Sequence, residues 1–302
     1  MVQPCLIVDG GGTKTVASYF DQHGTRCGDW RGGPCHLTND LNGALDTLIT
    51  LVNTALNDNA AIAPARTVLL MGLAGACNPV SQQAVHTAFQ RFPFFHLELT
   101  SDGRTSLYGA NAGQPVVAVA LGTGSIAMRL DRRGKERMFG GWGFRIGDEG
   151  GGAAMGKAAV RLALWELDCQ PAHYQALTAQ ICAQIGWHKE QVLLWLAQAT
   201  AQQYASFVPM VLQLAAQHCP LAIKVLKKHA KDVASLIRQA RGNSGLPVVL
   251  QGGLAEPTAR YLPVALRKFL QPSLGDAITG GYLLAQRAVT QLNHSNNPDL
   301  AA

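Results

Sequence analysis

The most constraining feature of the sequence is an apolar run near the N-terminus that ends in an acid, three glycines and a threonine. The run Cys5–Val8 predicts a buried strand, and Asp9 follows it directly. Glycine adopts backbone angles that other residues avoid, and it lets backbone N–H groups approach a ligand closely. The segment therefore predicts a strand, a tight turn and a second strand, with a turn that binds phosphate oxygens. An ordinary glycine-rich hairpin turn is the alternative.

The side chains around this turn suit a nucleotide with its metal ion. Gly11 and Gly12 would present backbone N–H groups, and Thr13 would add a hydroxyl. Lys14 could add a positive charge, although a solvated surface lysine explains it equally well. Asp9 lies where a magnesium ion that bridges phosphates needs a carboxylate, directly or through water.

Strands and helices alternate after this opening, which indicates a mainly parallel sheet with helices on its faces. The pattern then restarts at the apolar strand Pro115–Leu121, followed by the turn Gly122–Ser125 and two further strands. We therefore predict an α/β protein built from two copies of one unit, an N-terminal domain at 1–114 and a C-terminal domain at 115–302. The segment at about 153–241 is rich in Ala, Leu and Gln and predicts a helical insertion in the second domain.

Composition excludes several classes of protein. Apolar residues make up 48% and charged residues 15%, which is typical of a globular chain. The net charge of +6 suits an anionic ligand, but no run of Lys or Arg predicts a nucleic-acid partner. The seven cysteines are scattered and indicate reduced thiols. Because neither a signal peptide nor a membrane-spanning run is visible, we expect a cytoplasmic protein without a membrane partner.

Two further segments combine acids with glycines. Asp102 follows a predicted strand, where its carboxylate could face a cleft or simply cap the next helix. The stretch 140–152 holds Trp142, Asp148 and Glu149 among many glycines, which packing alone does not explain because each ordered glycine has an entropic cost. Helix capping by Asp148 and a half-buried core position for Trp142 are the alternatives.

The ordered set of these segments resembles the actin, hexokinase and heat-shock ATPase superfamily. Asp9–Thr13 is similar to its first phosphate loop, Gly122–Ser125 to its second, Gly252–Gly253 to its adenosine-side loop and Gly275–Gly281 to its closing helix. The resemblance implies two duplicated ribonuclease H-like domains of the actin/hexokinase type around a central cleft.

A narrower resemblance, carried by Ser101–Gly103, Leu121–Ser125, Gly141–Gly143 and Gly147–Gly150, is to the N-acetylglucosamine kinases of the BadF/BadG/BcrA/BcrD ATPase family. It implies ATP and Mg²⁺ as cofactors and transfer of phosphate to the 6-hydroxyl of an amino sugar, N-acetylglucosamine first. It assigns Asp102 as the base at that hydroxyl and Asp9 to the magnesium ion. The implied sugar contacts are Asp148, Trp142, Gly143, Gly141 and His36. The implied ATP contacts are Gly11, Gly12, Thr13, Lys14, Gly122, Thr123, Gly124, Gly252 and Gly253.

His36 is a departure, since some relatives have a sugar-binding asparagine in this loop. Glucosamine kinase is therefore an alternative. In another class, an ATP-driven activator of an acyl-CoA dehydratase would need closely spaced cysteines for an iron–sulfur cluster, and the sequence lacks such a pair. A non-catalytic sugar or nucleotide sensor is a third option. ROK sugar kinases are disfavoured because their cysteine-rich zinc motif is missing. Because similar kinases are often dimers, the resemblance also implies a homodimer, with the region 153–241 as the interface.

Overall fold

The computed structural model describes residues 2–296, which form two compact units. The first unit contains the chain up to Gln114 together with the segment from Ser273 onward, and the second contains Pro115–Pro272. The break near residue 115 lies where the repeated pattern begins. The segment after Pro272, which the sequence-based division assigned to the second domain, belongs to the first unit, because its helix packs against strands of the first sheet.

A five-stranded mixed sheet forms the centre of the first unit. Its strands are β1 (Cys5–Gly10), β2 (Thr15–Phe20), β3 (Arg26–Gly32), β4 (Val68–Leu73) and β5 (His96–Thr100). They are arranged in the order β3–β2–β1–β4–β5, with β1, β4 and β5 mutually parallel and the opening meander antiparallel. The sheet is therefore mixed rather than mainly parallel, because the meander joins the parallel strands through β1.

The helices of the first unit begin where the sequence supplies a cap. They are α1 (Leu41–Asp58), α2 (Pro79–Phe89), α3 (Asp102–Ala110) and the C-terminal helix Ala277–Asn296. Asp40 caps α1 by accepting a hydrogen bond from the Gly43 N–H at 3.0 Å, and Asn78 caps α2 by accepting from the Val80 N–H at 2.9 Å. Leu48 and Val52 of α1 are fully buried, so one face of this helix belongs to the core.

The second unit repeats the start of this arrangement with four strands. They are β6 (Val116–Leu121), β7 (Ser125–Leu130), β8 (Glu136–Gly140) and β9 (Val248–Gln251). Their order β8–β7–β6–β9 corresponds to β3–β2–β1–β4 of the first sheet, again with an antiparallel meander and one parallel neighbour. This correspondence supports the interpretation of two copies of one architectural unit.

Helices fill the chain between β8 and β9. They are α4 (Gly152–Cys169), α5 (Ala176–Ile185), α6 (Lys189–Gln198), α7 (Ala201–Ala205), α8 (Val208–Ala216) and α9 (Pro220–Arg241). Within residues 2–296 no single helix has both the length and the apolar character needed to cross a membrane. The segment Ala201–Ala216 meets that test only together with α9, across a bend of 116°.

The chain after β9 departs from its sequence-based prediction, which was one helix from Pro257 to about Leu270. The structure instead has two short helices, α10 (Ala255–Ala259) and α11 (Val264–Arg267). The break occurs at Pro263, which is the N-cap of α11 and has no N–H with which to continue a preceding helix. The C-terminal helix is α12 in this numbering.

Candidate active site

The turn after β1 is the first of the predicted phosphate loops. The Gly11 N–H donates to the Lys14 carbonyl at 3.0 Å and closes the turn. Gly12, Thr13 and Lys14 are exposed, so their backbone and side chains are accessible to a ligand. The following Thr15 is buried, and its hydroxyl donates to the Gly33 carbonyl at 2.7 Å, which fixes the base of the turn.

Asp9 lies at the end of β1, immediately before this turn, and is partly buried. The pKa of its carboxyl is raised to about 7, mainly by burial and in addition by the negative charges of Asp102 and Asp276, which the charge of Lys14 opposes. The structure therefore brings three carboxylates of the first unit into one electrostatic group. Sequence analysis singled out Asp9 and Asp102 but missed Asp276.

Asp276 precedes α12 and is held in place by its neighbours. One carboxylate oxygen accepts from both the N–H and the hydroxyl of Thr279 at 2.8 Å each, and the other lies 3.6 Å from Arg26. Burial tends to raise the pKa of this carboxyl, but the Thr279 hydrogen bonds and the Arg26 charge outweigh it, and the pKa lies below its usual range. The signal that could have found Asp276 was its place in the Gly275–Gly281 motif.

Asp102 is the first residue of α3, but it is not the helix cap. Ser101 is the N-cap, and its hydroxyl accepts from the Arg104 N–H at 3.2 Å. The Asp102 carboxylate instead accepts from the adjacent Gly103 N–H at 2.8 Å. Burial raises the pKa of Asp102, against that hydrogen bond and the charge of His36. Ser101 rather than Asp102 therefore caps α3, so the Asp102 carboxylate is left for other chemistry.

His36 borders the first glycine loop, and its charge acts on the Asp102 carboxyl. Its backbone pairs with Ala74 in an isolated parallel bridge beyond β4, and its Nδ1 accepts from the Thr38 N–H at 3.3 Å. A methyl group placed on Gly12 would lie 3.8 Å from the Cδ2 atom of His36, so the imidazole borders the first loop. The loop that carries His36 therefore places it beside the Gly12 turn and within the electrostatic reach of Asp102.

The second predicted phosphate loop follows β6 in the second unit. The Gly122 N–H donates to the Gly124 carbonyl at 3.0 Å. The first N–H groups of α4, those of Gly152 and Ala153, donate to the carbonyls of Gly122 and Thr123 at 2.8 and 2.9 Å. These carbonyls accept hydrogen bonds from the first N–H groups of α4, whose start has no side-chain cap. The same hydrogen bonds hold the loop against α4.

The loop between β8 and α4 closes on itself through Asp148. This residue has a left-handed backbone with φ of 63°, and its carboxylate accepts from the Gly143 N–H at 3.3 Å. Gly143 has φ of 86°, a conformation that glycine adopts without steric cost. Asp148 does not cap α4, whose N-cap is Gly151. Burial raises the pKa of Asp148, the Gly143 hydrogen bond opposes this, and the charge of Glu149 adds to it.

Trp142 does not occupy the half-buried core position that was the alternative interpretation. Its side chain is 78% exposed, so it is not a half-buried core residue. It lines a cavity of about 370 Å³ together with Asp148 and Gly140. An exposed aromatic side chain beside a cavity is available to stack on a ligand. Gly141, its neighbour, has φ of 71° and belongs to the same turn.

The loop after β9 completes the second unit's set of glycine segments. Gly252 has φ of 90°, and a side chain there would overlap the Leu121 carbonyl at the end of β6. The Leu254 N–H donates to the same carbonyl at 3.2 Å. A Cβ atom on Gly253 would meet no atom within 4 Å. This loop therefore lies beside the second phosphate loop and leaves open space at Gly253.

The described residues fit a nucleotide and a hydrated magnesium ion. Within residues 2–296 no group of three His, Cys, Asp or Glu side chains is arranged to hold a metal ion directly. Magnesium is usually bound by one or two carboxylates, with water and substrate phosphates as its other ligands. Asp9, a carboxylate at the end of β1 directly before the first glycine loop, matches that donor set.

Sequence comparison identifies the family. The model of the BadF/BadG/BcrA/BcrD ATPase family matches residues 8–278, nearly the whole chain. The chain belongs to the BadF/BadG/BcrA/BcrD ATPase family. The match spans all the loops described above, from Asp9 to Asp276.

Several proteins that are similar to this chain are named as sugar kinases. A glucosamine kinase of Vibrio cholerae is 26% identical over 92% of this chain and 94% of its own length. The crystal structure of a candidate N-acetylglucosamine kinase from Chromobacterium violaceum is 32% identical, with a TM-score of 0.82 and coverage of 94% of this chain and 99% of that one. A ROK family glucokinase from Streptomyces griseus, bound to glucose and AMPPNP, is similar in fold alone, with 16% identity, a TM-score of 0.55 and coverage of 95% and 100%. The expected α/β fold of the actin/hexokinase type is thereby confirmed.

Proposed function

We propose that this protein is a kinase that transfers phosphate from ATP to the 6-hydroxyl of an amino sugar, N-acetylglucosamine or glucosamine. The observation that carries the proposal is the carboxylate of Asp102. It lies at the start of α3, just after β5, it is partly buried, and it is not used to cap its helix because Ser101 does so. The names of the relatives, a glucosamine kinase and a candidate N-acetylglucosamine kinase, support the same substrate class.

In this proposal Asp102 is the general base. Burial raises its pKa, so its carboxylate accepts a proton from a sugar hydroxyl more readily than a fully solvated aspartate would. The Gly103 N–H holds one oxygen in place at 2.8 Å and fixes the carboxylate orientation. Phosphoryl transfer depends mainly on the positioning of the reactants and on charge stabilisation. Asp102 would contribute by accepting the proton of a sugar hydroxyl that is held in a fixed orientation.

ATP would be held by the glycine loops and Asp9. Gly11, Gly12, Thr13 and Lys14 would contact phosphates in the first unit. In the second unit the corresponding contacts would come from Gly122, Thr123, Gly124, Gly252 and Gly253. Asp9 would hold the magnesium ion through water, and the bound ion supplies neutralisation of phosphate charge. The exposure of Gly12 and Thr13 and the open space at Gly253 are consistent with these roles.

In the second unit the proposed sugar contacts come from the glycine loop between β8 and α4. Trp142 offers an exposed aromatic face for the apolar side of a pyranose, while Asp148 accepts hydrogen bonds from hydroxyl groups. Gly141 and Gly143 provide the turn that positions both. In the first unit the proposed sugar contact is His36, whose charge acts on the Asp102 carboxyl.

The primary test is a coupled assay of ADP release with ATP, magnesium and a panel of sugars. The panel holds N-acetylglucosamine, glucosamine, glucose, N-acetylmannosamine and N-acetylmuramic acid. We expect turnover with one of the first two sugars and none with its 6-deoxy analogue, which lacks the acceptor hydroxyl. Silence across the panel, with slow hydrolysis that ignores sugar, would overturn the proposal.

The base is tested by Asp102→Asn. We expect kcat to fall by a factor of about 10² to 10⁴, the usual contribution of general acid–base catalysis, with ATP affinity unchanged. Ser101→Ala is the matched control, because it removes the neighbouring helix cap at a cost of about 1 kcal/mol in stability and leaves the carboxylate intact. Retained turnover in Asp102→Asn would exclude Asp102 as the base.

A further inference from the structure

The cavity beside Trp142 has a second wall that the glycine loop does not supply. Residues Asp232, Ser235 and Gln239 of α9 line the same cavity of about 370 Å³ as Trp142 and Asp148. This volume lies at the small end of the range for ligand pockets, which suits a monosaccharide rather than a nucleotide. Sequence analysis found no chemistry in α9, so this wall is a product of the fold.

The three α9 residues form a stripe because of their spacing. Positions separated by three, four or seven residues lie on one side of a helix, and 232, 235 and 239 follow that rule. The opposite side of α9, with Val233 and Ile237, is buried in the core of the second unit. The core therefore fixes the rotation of α9, and the polar stripe is held toward the cavity.

The chemistry of the stripe matches a sugar. Ser235 offers a hydroxyl and Gln239 an amide, both of which donate and accept hydrogen bonds as sugar hydroxyls do. Trp142, which lines the same cavity, offers an exposed aromatic surface. A pocket that offers an exposed aromatic side chain together with several hydrogen-bonding side chains fits a pyranose, whose ring has an apolar face and a polar edge.

The charge of the cavity is negative. Asp148, Glu149 and Asp232 all line it, and none of the described residues that line it is Lys or Arg. Lys228, one turn before Asp232 on α9, pairs with it at 2.6 Å and offsets part of this charge from outside the lining. Charges a few ångströms apart interact by kilocalories in a partly desolvated site, so a cationic ligand is favoured there over a neutral one.

We propose that α9 forms the specificity-determining wall of the sugar pocket, with Ser235 and Gln239 positioning the sugar and Asp232 favouring a protonated glucosamine over N-acetylglucosamine. This inference rests on the proposed function and deepens it, because it names which amino sugar the pocket prefers. It adds positioning residues to the helical region 153–241.

The positioning role is tested with Ser235→Leu and Gln239→Leu in the full-length protein. We expect each variant to raise KM for the amino sugar at least tenfold, with KM for ATP and kcat within about twofold of the wild type. Arg238→Leu is the matched control, since Arg238 is exposed on the same helix and does not line the cavity. A merely structural effect would change KM for both substrates or lower the melting temperature.

The charge preference is tested with Asp232→Asn at pH 7. We expect kcat/KM for glucosamine to fall three- to tenfold and kcat/KM for N-acetylglucosamine to change less than twofold. Equal changes for the two sugars would overturn the role of Asp232, and wild-type KM values in Ser235→Leu and Gln239→Leu would overturn the wall itself. If the wild type turns over no sugar, the proposed function fails instead, so the two failures are distinguishable.

Discussion

The carboxylate of Asp148 accepts a hydrogen bond from the Gly143 N–H at 3.3 Å, and this contact closes the glycine-rich loop of the second unit. Both ends of the contact have a left-handed backbone, with φ of 63° at Asp148 and 86° at Gly143. Asp and Asn tolerate this conformation better than other residues with a Cβ atom. The backbone and the side chain of Asp148 thus make separate contributions to the loop.

Two substitutions separate these contributions. Asp148→Asn keeps a side-chain oxygen and a residue that tolerates φ of 63°, so we expect the free energy of unfolding to change by less than about 1 kcal/mol. It removes the negative charge, so we expect KM for the amino sugar to rise at least tenfold. Asp148→Ala loses both properties and should cost a further 1–2 kcal/mol, roughly the penalty for a left-handed residue. Urea unfolding and steady-state kinetics on both variants provide the measurements, and equal stability of the two would contradict the backbone role.

We predict that the ionised carboxylate of Asp9 lowers the free energy of unfolding although turnover requires it. Its pKa of about 7 in the folded state lies above the ordinary 3.8, so the folded protein binds more protons than the unfolded chain between these values. Ionisation of Asp9 therefore destabilises the fold, and this cost is largest above pH 7. We expect Asp9→Asn to raise the free energy of unfolding by about 4 kcal/mol at pH 8, to have little effect at pH 4, and to abolish turnover.

The measurement is urea unfolding at the two pH values, together with the coupled assay. Asp46→Asn on the exposed face of α1 is the control, since a solvated acid should not change stability in this way. A loss of stability in Asp9→Asn at pH 8 would show that the carboxylate is compensated in the folded protein.

His229 is predicted to make the second unit sensitive to acid. It is 2% exposed, and its Nε2 lies 2.8 Å from the Thr258 hydroxyl. Burial, with a smaller contribution from the Lys228 charge, lowers its pKa to about 4 from 6.5. Above pH 6.5 the imidazole is neutral in both states, whereas between pH 6.5 and 4 only the unfolded chain gains the proton, so stability is lost as the pH falls.

At about 1.4 kcal/mol for each pKa unit, the loss contributed by His229 between pH 7.5 and 5 is about 2 kcal/mol. His229→Gln keeps a hydrogen-bonding group near Thr258 and cannot titrate. We therefore expect denaturant unfolding to show about 2 kcal/mol less pH dependence in the variant than in the wild type. Parallel pH profiles for the two proteins would contradict this prediction.

The contact between α3 and α12 depends on glycine at position 280. A methyl group there would overlap the Thr105 carbonyl oxygen, which belongs to α3. In a helix interior Gly→Ala normally stabilises by up to about 1 kcal/mol, but here the backbones of two helices would have to separate. We expect Gly280→Ala to lower the free energy of unfolding by 2–3 kcal/mol, measured by thermal or urea unfolding. Thr290→Ala, on an exposed part of α12, should change it by less than about 0.5 kcal/mol.

Local chemistry made much of the fold predictable. Asp and Asn are residue types that favour the N-cap position, and the structure shows Asp40 and Asn78 accepting helix N–H groups. The buried apolar runs of β1, β4 and β6 were visible as strands because they lack polar residues at alternate positions. The break at Pro263 was missed because the apolar pattern continues across it. The sheet is mixed rather than mainly parallel because the opening meander is antiparallel. The direction in which strands pair depends on how they are connected and not on their composition.

Candidate site residues were predictable where a motif marks them and not where only space brings them together. Asp9, Asp102 and Asp148 each stand next to a glycine, and Asp9 and Asp102 also follow predicted strands, which marked them for attention. Asp276 is separated from Asp9 by most of the chain, and only the return of α12 to the first unit brings the charges of the two residues together. Ser235 and Gln239 carry no motif, so only the cavity identified them.

By itself, the sequence determined the elements of this protein, the position of its repeat and the loops with the backbone freedom to bind phosphate, because these depend on residues that are neighbours in the chain. Tertiary structure decided which end of the chain completes the first unit and which face of α9 lines the cavity. These features depend on the burial of apolar surface between distant segments, which rotates and places whole helices, and that free energy cannot be assigned to any one stretch of sequence.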